Sequence, residues 1–352
     1  MTARSQGVII LSAFLAAFLF SAGFAFAQEN LYLTFIGGDK EVSITMVPNE
    51  PRASETVRLS VDSGAIDLDR SVIVWYSNKK EFARGNGLKD ATILAGPLGS
   101  DTVIEVVAES NEATGRATAR IRPVEIHILW NSDSYVPPFF KGRALPGTSG
   151  TVSAYALVHF QTLGGTLIPE KDIIYSWYQN GARVAHLSGR GKSSATFQSP
   201  ARFDADTIKM AAESLDARFS GSTTIVIPRE DAKLVLYENH PLFGILFHRA
   251  IVGEVNTAER ELKVSAFPYF VRAFSPREET LFYEWHVNDK IVIPDKSARN
   301  SISITTNNYT GPADIALSLS SDNDIFTRAE ATWRILFGES FGVFFDTNVF
   351  GQ

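Results

Sequence analysis

Short runs in which apolar and polar residues alternate recur along the chain, and they predict strands rather than helices. Three of these runs, 72–78, 174–180 and 282–288, share a tryptophan and an asparagine three residues after it. β-Branched and aromatic residues favour strands, and asparagine tolerates the positive φ that a two-residue hairpin turn requires. Each run therefore predicts a strand that enters a tight hairpin.

A second pattern follows each of these runs further along the chain. It begins with an aspartate and predicts a strand, a polar turn and a closing strand, the usual pair at the end of a β-sandwich. The composition of 204–219 is also compatible with a helix, but its place in the repeat predicts strands. The first strands cover 101–106, 206–211 and 314–319, and the closing strands cover 117–121, 223–227 and 329–336.

The distance between the tryptophans sets the size of the repeating unit. Trp75, Trp177 and Trp285 are 102 and 108 positions apart, and about 100 residues make one β-sandwich. A tryptophan in the middle of a strand buries a large apolar surface, so we expect all three in cores rather than as sugar-stacking platforms. Glycine-rich stretches, 85–87 and 189–191, follow the first two hairpins, whereas the third copy has Ser-Ala-Arg-Asn at 297–300.

These motifs resemble those of tandem immunoglobulin-like and PKD-like domains of bacterial cell-surface proteins. The resemblance rests on Tyr175-x-Trp177-x-x-Asn180-Gly181 and Tyr283-x-Trp285-x-x-Asn288-Asp289, and more weakly on the first copy. It covers most of residues 31–336 and implies a sandwich of about seven strands per repeat, with a role in adhesion, scaffolding or spacing. It brings no catalytic residue with it, and the inter-sheet disulfide of antibody domains is absent.

The start of the chain predicts export. Arg4 precedes an apolar stretch from 8 to 20, and Ala25-Phe26-Ala27 forms a small-x-small cleavage site. We expect cleavage after Ala27, although 8–27 is also long enough for an uncleaved membrane anchor. An exported chain without cysteine is typical of bacteria and must hold its domains by packing alone.

We therefore predict an all-β protein made of three tandem immunoglobulin-like β-sandwich domains after a signal peptide. The predicted limits are 1–27 for the signal peptide, 28–122, 123–229 and 230–336 for domains 1 to 3, and 337–352 for a Phe-rich C-terminal tail.

Aromatic segments lie between the repeats, at 129–145 and 236–251, and part of this pattern returns at 341–345. We interpret the first two as stiff linkers that pack on a neighbouring domain, because they carry few charges. The tail has two interpretations. It folds back on the third domain, or it presents its phenylalanines to a partner, since exposed apolar patches mark interaction sites.

Several short motifs suggest chemistry but lack the context it needs. Gly189-Arg190-Gly191-Lys192-Ser193 looks like the end of a phosphate-binding loop, yet a hairpin precedes it and the upstream glycine is missing. Ser77-x-x-Lys80 and Ser321-Asp322-Asn323 occur in penicillin-binding enzymes, which also need a Lys-Thr-Gly element and a serine that opens a helix. We interpret the first as a polar loop and the two serine motifs as coincidental matches.

Few features of the sequence indicate a metal-binding site. No two histidines have helical metal spacing, and there is no cysteine to help them. Paired aspartates suit calcium, but these fall at different offsets from each tryptophan, so we interpret them as turn residues. The histidines are His127, His159, His186, His240, His248 and His286, and the acidic pairs are Asp67/Asp69, Asp204/Asp206 and Asp322/Asp324, of which the last is the best calcium candidate.

Composition and motifs together predict a non-enzymatic exported protein of the envelope or cell surface. The chain has 33 basic and 39 acidic side chains, a balance that argues against nucleic acid as a ligand. We predict no catalytic, cofactor-binding or metal-binding residues, and a protein or glycan partner in the periplasm, at the cell surface or in the medium. Two alternatives stay open, an extracytoplasmic carbohydrate-binding protein and an accessory factor of a secretion or pilus machine that docks through the Phe-rich tail.

Overall fold

The computed structural model describes residues 42–198, 205–306, 311–322 and 324–338. The predicted signal peptide, the tail from 339 onward, Asp204 and Asn323 lie outside the described residues. Three short 3-10 helices, Leu68–Arg70, Glu170–Asp172 and Ala185–Leu187, accompany the strands. Among the described residues, we find no helix with the length and apolar character needed to cross a bilayer.

The first sandwich consists of two antiparallel sheets, ordered β1-β2-β5 and β4-β3-β6-β7. Its strands alternate buried and exposed positions, as in β2, because one face of each sheet packs on the core and the other meets solvent. The strands are β1 (Val42–Val47), β2 (Thr56–Ser63), β3 (Val72–Ser77), β4 (Lys80–Asn86), β5 (Asp90–Leu94), β6 (Thr102–Glu109) and β7 (Thr114–Ile121).

The second sandwich repeats this arrangement with sheets β14-β10-β8 and β12-β11-β15-β16, and β13 adds to the free side of β11. The strands are β8 (Glu125–Ser132), β9 (Ser134–Tyr135), β10 (Thr151–His159), β11 (Ile173–Gln179), β12 (Ala182–Arg183), β13 (Gly189–Arg190), β14 (Ser194–Gln198), β15 (Ala205–Ser214) and β16 (Ser220–Pro228).

The third sandwich has sheets β18-β17-β20-β24 and β19-β26-β25-β22-β23. Strand β19 pairs with β26 in parallel, while the other pairs within its sheets are antiparallel. The strands are β17 (Lys233–His240), β18 (Gly244–Ile251), β19 (Glu254–Thr257), β20 (Glu261–Tyr269), β21 (Val271–Arg272), β22 (Leu281–Val287), β23 (Lys290–Val292), β24 (Ser301–Thr305), β25 (Gly311–Ser321) and β26 (Arg328–Phe337).

The three repeat tryptophans are fully buried, each in a separate apolar core. Each indole N–H donates to the backbone carbonyl just ahead of the strand that follows the hairpin, so burial leaves no unpaired donor. The prediction that these residues are core is therefore confirmed. The bonds run from Trp75 to Leu88 (3.1 Å), Trp177 to Lys192 (2.9 Å) and Trp285 to Arg299 (2.9 Å).

The asparagine of each repeat ties its hairpin turn to the strand that begins with the second motif. All three adopt positive φ, as predicted for these turns. Both the backbone N–H and the side-chain Oδ1 bond one partner residue, which explains why the motif recurs. The pairs are Asn78 with Val103, Asn180 with Thr207 and Asn288 with Asp314, with N···O distances of 2.8 and 2.9 Å in each.

The all-β fold class is confirmed, and so is the strand prediction for 204–219, since β15 occupies 205–214 and a turn leads from there into β16. The interpretation of 129–145 and 236–251 as linkers is wrong at the start of the first stretch and throughout the second, which consists of the end of β17, a turn and β18. Leu129 and Trp130 belong to β8, and Leu236 and Tyr237 belong to β17. Their alternate side chains face the cores of the second and third sandwiches, which a linker cannot do.

Candidate functional site

The second sandwich reaches onto the third through residues 133–150, the segment between β8 and β10. Its strand β9 pairs with β21 of the third sandwich, and Phe270 N–H donates to Tyr135 O at 2.9 Å. An ion pair joins Arg272 Nε to Asp133 at 3.0 Å. The prediction that the aromatic segment 129–145 packs on a neighbouring domain is confirmed for its part from 133 onward.

The two sandwiches also approach each other closely at Gly147. Its N–H donates to Ser134 Oγ at 3.2 Å. A Cβ at this position would lie 2.4 Å from Phe270 O, far inside the contact distance. The backbone of the inserted segment therefore docks at a distance that only glycine permits.

Aromatic rings continue the junction along the outer face of the third sandwich. The Phe139 ring lies 6.2 Å from that of Phe247, which packs 5.0 Å from Phe267 and 5.4 Å from Tyr237. Phe140 lies edge-on to Tyr269 at 5.6 Å. Tilted and edge-on aromatic pairs add stability beyond the area they bury, about 0.5–1.5 kcal/mol each.

Burial changes the pKa of two tyrosine hydroxyls in this junction. Burial raises the pKa of Tyr135 to about 12 and the pKa of Tyr269 further still. The Tyr269 hydroxyl shares a hydrogen bond of 2.6 Å with Tyr237. The hydroxyls of Tyr135 and Tyr269 therefore stay protonated well above neutral pH.

The hairpin of β17 and β18 displays apolar side chains at its turn. His240 Nδ1 accepts the N–H groups of Leu242 (3.1 Å) and Phe243 (3.3 Å), and the His240 ring stacks on Phe243 at 4.7 Å. These bonds fix the turn while leaving Leu242 82% and Phe243 75% exposed, and Phe139 is 86% exposed. We call Phe139, Leu242, Phe243 and Phe247 the junction surface, because two sandwiches contribute to it.

The phosphate-loop motif lies on a strand edge. Gly189 and Arg190 form β13, and the next element is strand β14 rather than a helix. Lys192 Nζ donates to His186 O at 2.7 Å, and Ser193 Oγ donates to Glu170 at 2.9 Å. Part of the predicted polar loop is therefore a short strand at the edge of the sandwich.

The two serine motifs also lie at strand ends. Ser77 ends β3 and Lys80 begins β4, so they face each other across the hairpin turn. Ser321 ends β25, and Asp322 N–H donates to Thr280 O at 3.0 Å. Neither serine opens a helix, which penicillin-binding chemistry needs.

Two of the six histidines meet at one carboxylate, a contact that their sequence positions do not predict. His127 and His159, on neighbouring strands, contact the Glu125 carboxylate at 3.0 and 3.3 Å. Their hydrogen bonds lower the pKa of Glu125. His286 contacts Glu284 at 2.9 Å. Within the described ranges, no three His, Asp or Glu side chains are grouped to hold a metal ion.

The described members of the acidic pairs are turn and pairing residues. Asp67 accepts the Asp69 N–H at the start of a 3-10 helix, and Asp69 pairs with Lys89 at 2.9 Å. Asp206 accepts from Asn180 at 2.8 Å. Asp324 accepts the Phe326 N–H at 3.0 Å and the Thr327 hydroxyl at 2.9 Å. This local bonding is what turn aspartates make.

Comparison with known proteins gives structural likeness alone. No protein-family model and no curated protein matches this chain. Three domains of the outer capsid protein Hoc of bacteriophage RB49 align with 84% of this chain and 97% of their own, at 11% identity and a TM-score of 0.24. The central fibronectin-III array of RIM-binding protein aligns with 86% and 98%, at 14% identity and a TM-score of 0.29.

A glucan-binding protein of Bacteroides ovatus, SGBP-B in complex with a mixed-linkage heptasaccharide, aligns with 81% of this chain and 64% of its own, at 9% identity and a TM-score of 0.22. At such identities and TM-scores these likenesses concern the fold class and carry no functional argument. The PKD-like part of the resemblance is not confirmed. The sheet order and the three buried tryptophan cores make this chain a tandem array of immunoglobulin-like β-sandwiches.

Proposed function

We propose that this chain is a non-enzymatic, extracytoplasmic array that binds a partner protein through its junction surface. The observation that carries the proposal is the exposure of Phe139, Leu242 and Phe243, three large apolar side chains held by hydrogen bonds and ring contacts in solvent-facing positions. Ordered apolar patches on a folded surface are typical of protein interaction sites.

The junction surface is built from residues of two sandwiches, so the array does more than hold its domains apart. Phe139 comes from the second sandwich, and Phe243 and Phe247 from the third. The inserted segment must therefore stay docked for the whole surface to exist. We propose that docking fixes the angle between these two sandwiches and presents the surface in one geometry, which lowers the entropy lost when a partner binds.

A protein partner agrees better with these side chains than a glycan. The open rings of the junction surface are phenylalanines, whereas the repeat tryptophans, the larger platforms for sugar stacking, are buried. The Trp130 ring is covered by the Arg143 guanidinium at 4.6 Å. Phenylalanine and leucine at the tip of a hairpin suit an apolar pocket on another protein.

The location and the domain limits are part of the proposal. Residues 1–27 are taken as a cleaved export signal, and 28–122, 123–229 and 230–336 as the three domains. Mass spectrometry of the N-terminus of the exported protein tests the first assignment. A mature chain that begins at Gln28 supports it, whereas a chain that keeps 8–27 supports the membrane anchor.

The partner is tested by affinity purification from the extracytoplasmic fraction with quantitative mass spectrometry. The variants Phe139→Ser and Phe243→Ser should each reduce capture of the same protein by about tenfold, the value of about 1.4 kcal/mol in binding. Leu163→Ser is the matched control, because Leu163 is as exposed on a loop of the second sandwich. Equal capture by all variants contradicts the proposal, and a glycan-array signal that Phe243→Ser abolishes favours the carbohydrate alternative.

A further inference from the structure

The third sandwich differs from the other two at the edge of its tryptophan strand. In the first sandwich, β4 pairs with β3 from Ser77 back to Val72. In the second, β12 and β13 together pair with both ends of β11. In the third, β23 pairs only with Trp285, His286 and Val287. No described strand lies beside residues 281–284 on that side.

The glycine-rich stretches explain the difference. Gly87 N–H donates to Ser71 O, and Gly191 N–H donates to Ile173 O, both at 2.9 Å and both from glycines with positive φ. These bonds bring the chain back along the tryptophan strand and close its edge. The third copy has 297–300, without glycine, in that place. Pro294 follows β23 closely, and proline has no N–H for the ladder, so the chain leaves the edge there.

The open edge carries apolar side chains where the other sandwiches carry charge. Ile291 pairs with His286 at the position that Glu81 and Arg183 occupy in the first and second sandwiches. It is 68% exposed, and Ile293 is 89% exposed.

A groove of about 570 Å³ lies between these isoleucines, Phe282 and the outer face of β25. Alternation along the antiparallel ladder directs the backbone N–H and C=O of Tyr283 into it.

We propose that this open edge binds an extended segment of a partner protein as an added, antiparallel β-strand. The first two sandwiches show the mode of occupancy, because their own chains fill the same edge with antiparallel strands. The bound segment pairs with Tyr283 through its main chain and places apolar side chains against Ile291, Ile293 and Phe282. The site is separate from the junction surface, which lies on the other sheet.

The aromatic run of the C-terminal tail in the same chain is too close to its anchor to fill this edge. Leu319 pairs with Tyr283 on one side and with Ala329 on the other, so Tyr283 lies level with Ala329. Ala329 is eight residues from Phe337, which is about 26 Å along the strand. The added strand would lie three inter-strand spacings from β26, beyond β25 and β22, which is about 14 Å across the sheet. The direct path from Phe337 is about 30 Å, whereas the eight residue steps from Phe337 to Phe345 span at most about 29 Å, so the aromatic run cannot lie alongside Tyr283. We therefore assign the edge to a partner protein.

The test measures binding of a short synthetic peptide that alternates threonine and valine around a central glycine. Titration of the fluorescently labelled peptide into the full chain should saturate. Hydrogen exchange should then show slower exchange in 281–284, where the Tyr283 N–H becomes bonded. The same peptide with alternate backbone nitrogens methylated keeps its side chains but cannot form the ladder, so it should bind at least about tenfold more weakly.

Two variants complete the test. Ile291→Glu restores a charge, as in the first sandwich, and should weaken peptide binding by about tenfold, because a charged edge opposes strand addition. Phe243→Ser, at the junction surface, should leave peptide binding unchanged. Equal binding of the methylated peptide, or of Ile291→Glu, overturns the proposal. So does peptide binding that only appears after deletion of 339–352, because the tail is then the natural occupant. None of these outcomes bears on partner capture by the junction surface.

Discussion

Tyr175 and Tyr283 occupy the same position in two sandwiches, two residues before the repeat tryptophan, but their hydroxyls differ. The Tyr283 hydroxyl donates to Pro276 O at 2.7 Å. The Tyr175 hydroxyl is buried without a hydrogen-bond partner among the described residues. A buried polar group without a partner costs stability, whereas a paired one contributes to it. The two positions therefore form a natural matched pair.

Replacing each tyrosine by phenylalanine should have opposite effects. Tyr283→Phe should lower the free energy of unfolding by about 1 kcal/mol, because it leaves a carbonyl without its donor. Tyr175→Phe should be neutral or raise it by up to about 1 kcal/mol. Both changes in the free energy of unfolding can be measured by titrating each variant with urea and monitoring hydrogen exchange in β11 and in β22. Equal losses at the two sites would mean that the Tyr175 hydroxyl does have a partner.

Alkaline pH should weaken the second sandwich through Tyr175. Burial raises its pKa to about 12, above the ordinary value of 10.0. The hydroxyl loses its proton at a lower pH in the unfolded chain than in the folded one. The stability of the folded second sandwich is therefore unaffected by this proton below about pH 10 and falls as the pH rises toward 12. The midpoint of urea unfolding, measured between pH 9 and 12, should fall less in Tyr175→Phe than in the unchanged chain. Parallel curves for the two proteins would contradict this.

The buried tryptophans should dominate the stability of each sandwich. Trp177→Ala removes a fully buried side chain and its bond to Lys192 O, so it should cost about 3–5 kcal/mol. Loss of the hydrogen-exchange protection of β11 and β15, with β3 and β22 unchanged, is the expected result. A melting temperature equal to that of the unchanged chain would refute the assignment of Trp177 to the core.

Among the elements, the inserted segment 133–150 brings its backbone closest to the third sandwich at Gly147, where an added side chain should weaken the docking. Gly147→Ala places a Cβ within 2.4 Å of Phe270 O, so the segment must shift or undock. Overpacking of this kind costs about 1–3 kcal/mol. We expect faster hydrogen exchange in β9 and β21, measured by mass spectrometry.

Gly164→Ala is the control for this variant, since an added Cβ there meets only the Thr162 hydroxyl at 3.9 Å. Both glycines lie on loops of the second sandwich. If Gly147→Ala exchanges in β9 and β21 as slowly as Gly164→Ala, the close contact does not hold the segment in place.

The elements that sequence could predict are those fixed by local chemistry. The strand with its tryptophan and the hairpin with its asparagine recur because one side chain fills each core and one turn needs positive φ. The sequence also indicated that 297–300 lacks the glycines of the other copies. That this absence opens a strand edge depends on where the chain returns in space, which periodicity does not encode.

The site was harder to predict than the fold for the same reason. The docking of 133–150 depends on pairing between β9 and β21, which are 136 and more positions apart in the chain. The hairpin β17–β18 contains an irregular register between Tyr237 and Asn239, so its exposed turn does not follow from alternation. Sequence reasoning marked the aromatic residues of these segments but interpreted them as linkers.

At the scale of the whole molecule, three sandwiches follow one another along the chain, and β9, β21 and the Arg272–Asp133 ion pair join the second to the third. The fixed junction builds the surface from Phe139, Leu242, Phe243 and Phe247. The third sandwich adds an open edge that the first two close. The claim on which the proposed function rests is that the junction holds one geometry in solution.

The distance distribution between spin labels on the second and third sandwiches tests this claim most directly. The chain has no cysteine, so Lys209→Cys and Lys263→Cys, on exposed positions of β15 and β20, give one label on each. Pulsed electron paramagnetic resonance should show a single narrow distribution of label–label distances, which broadens when Gly147→Ala is added. A broad distribution in the unchanged chain, no different from that of Gly147→Ala, would contradict a fixed junction and with it the composite surface.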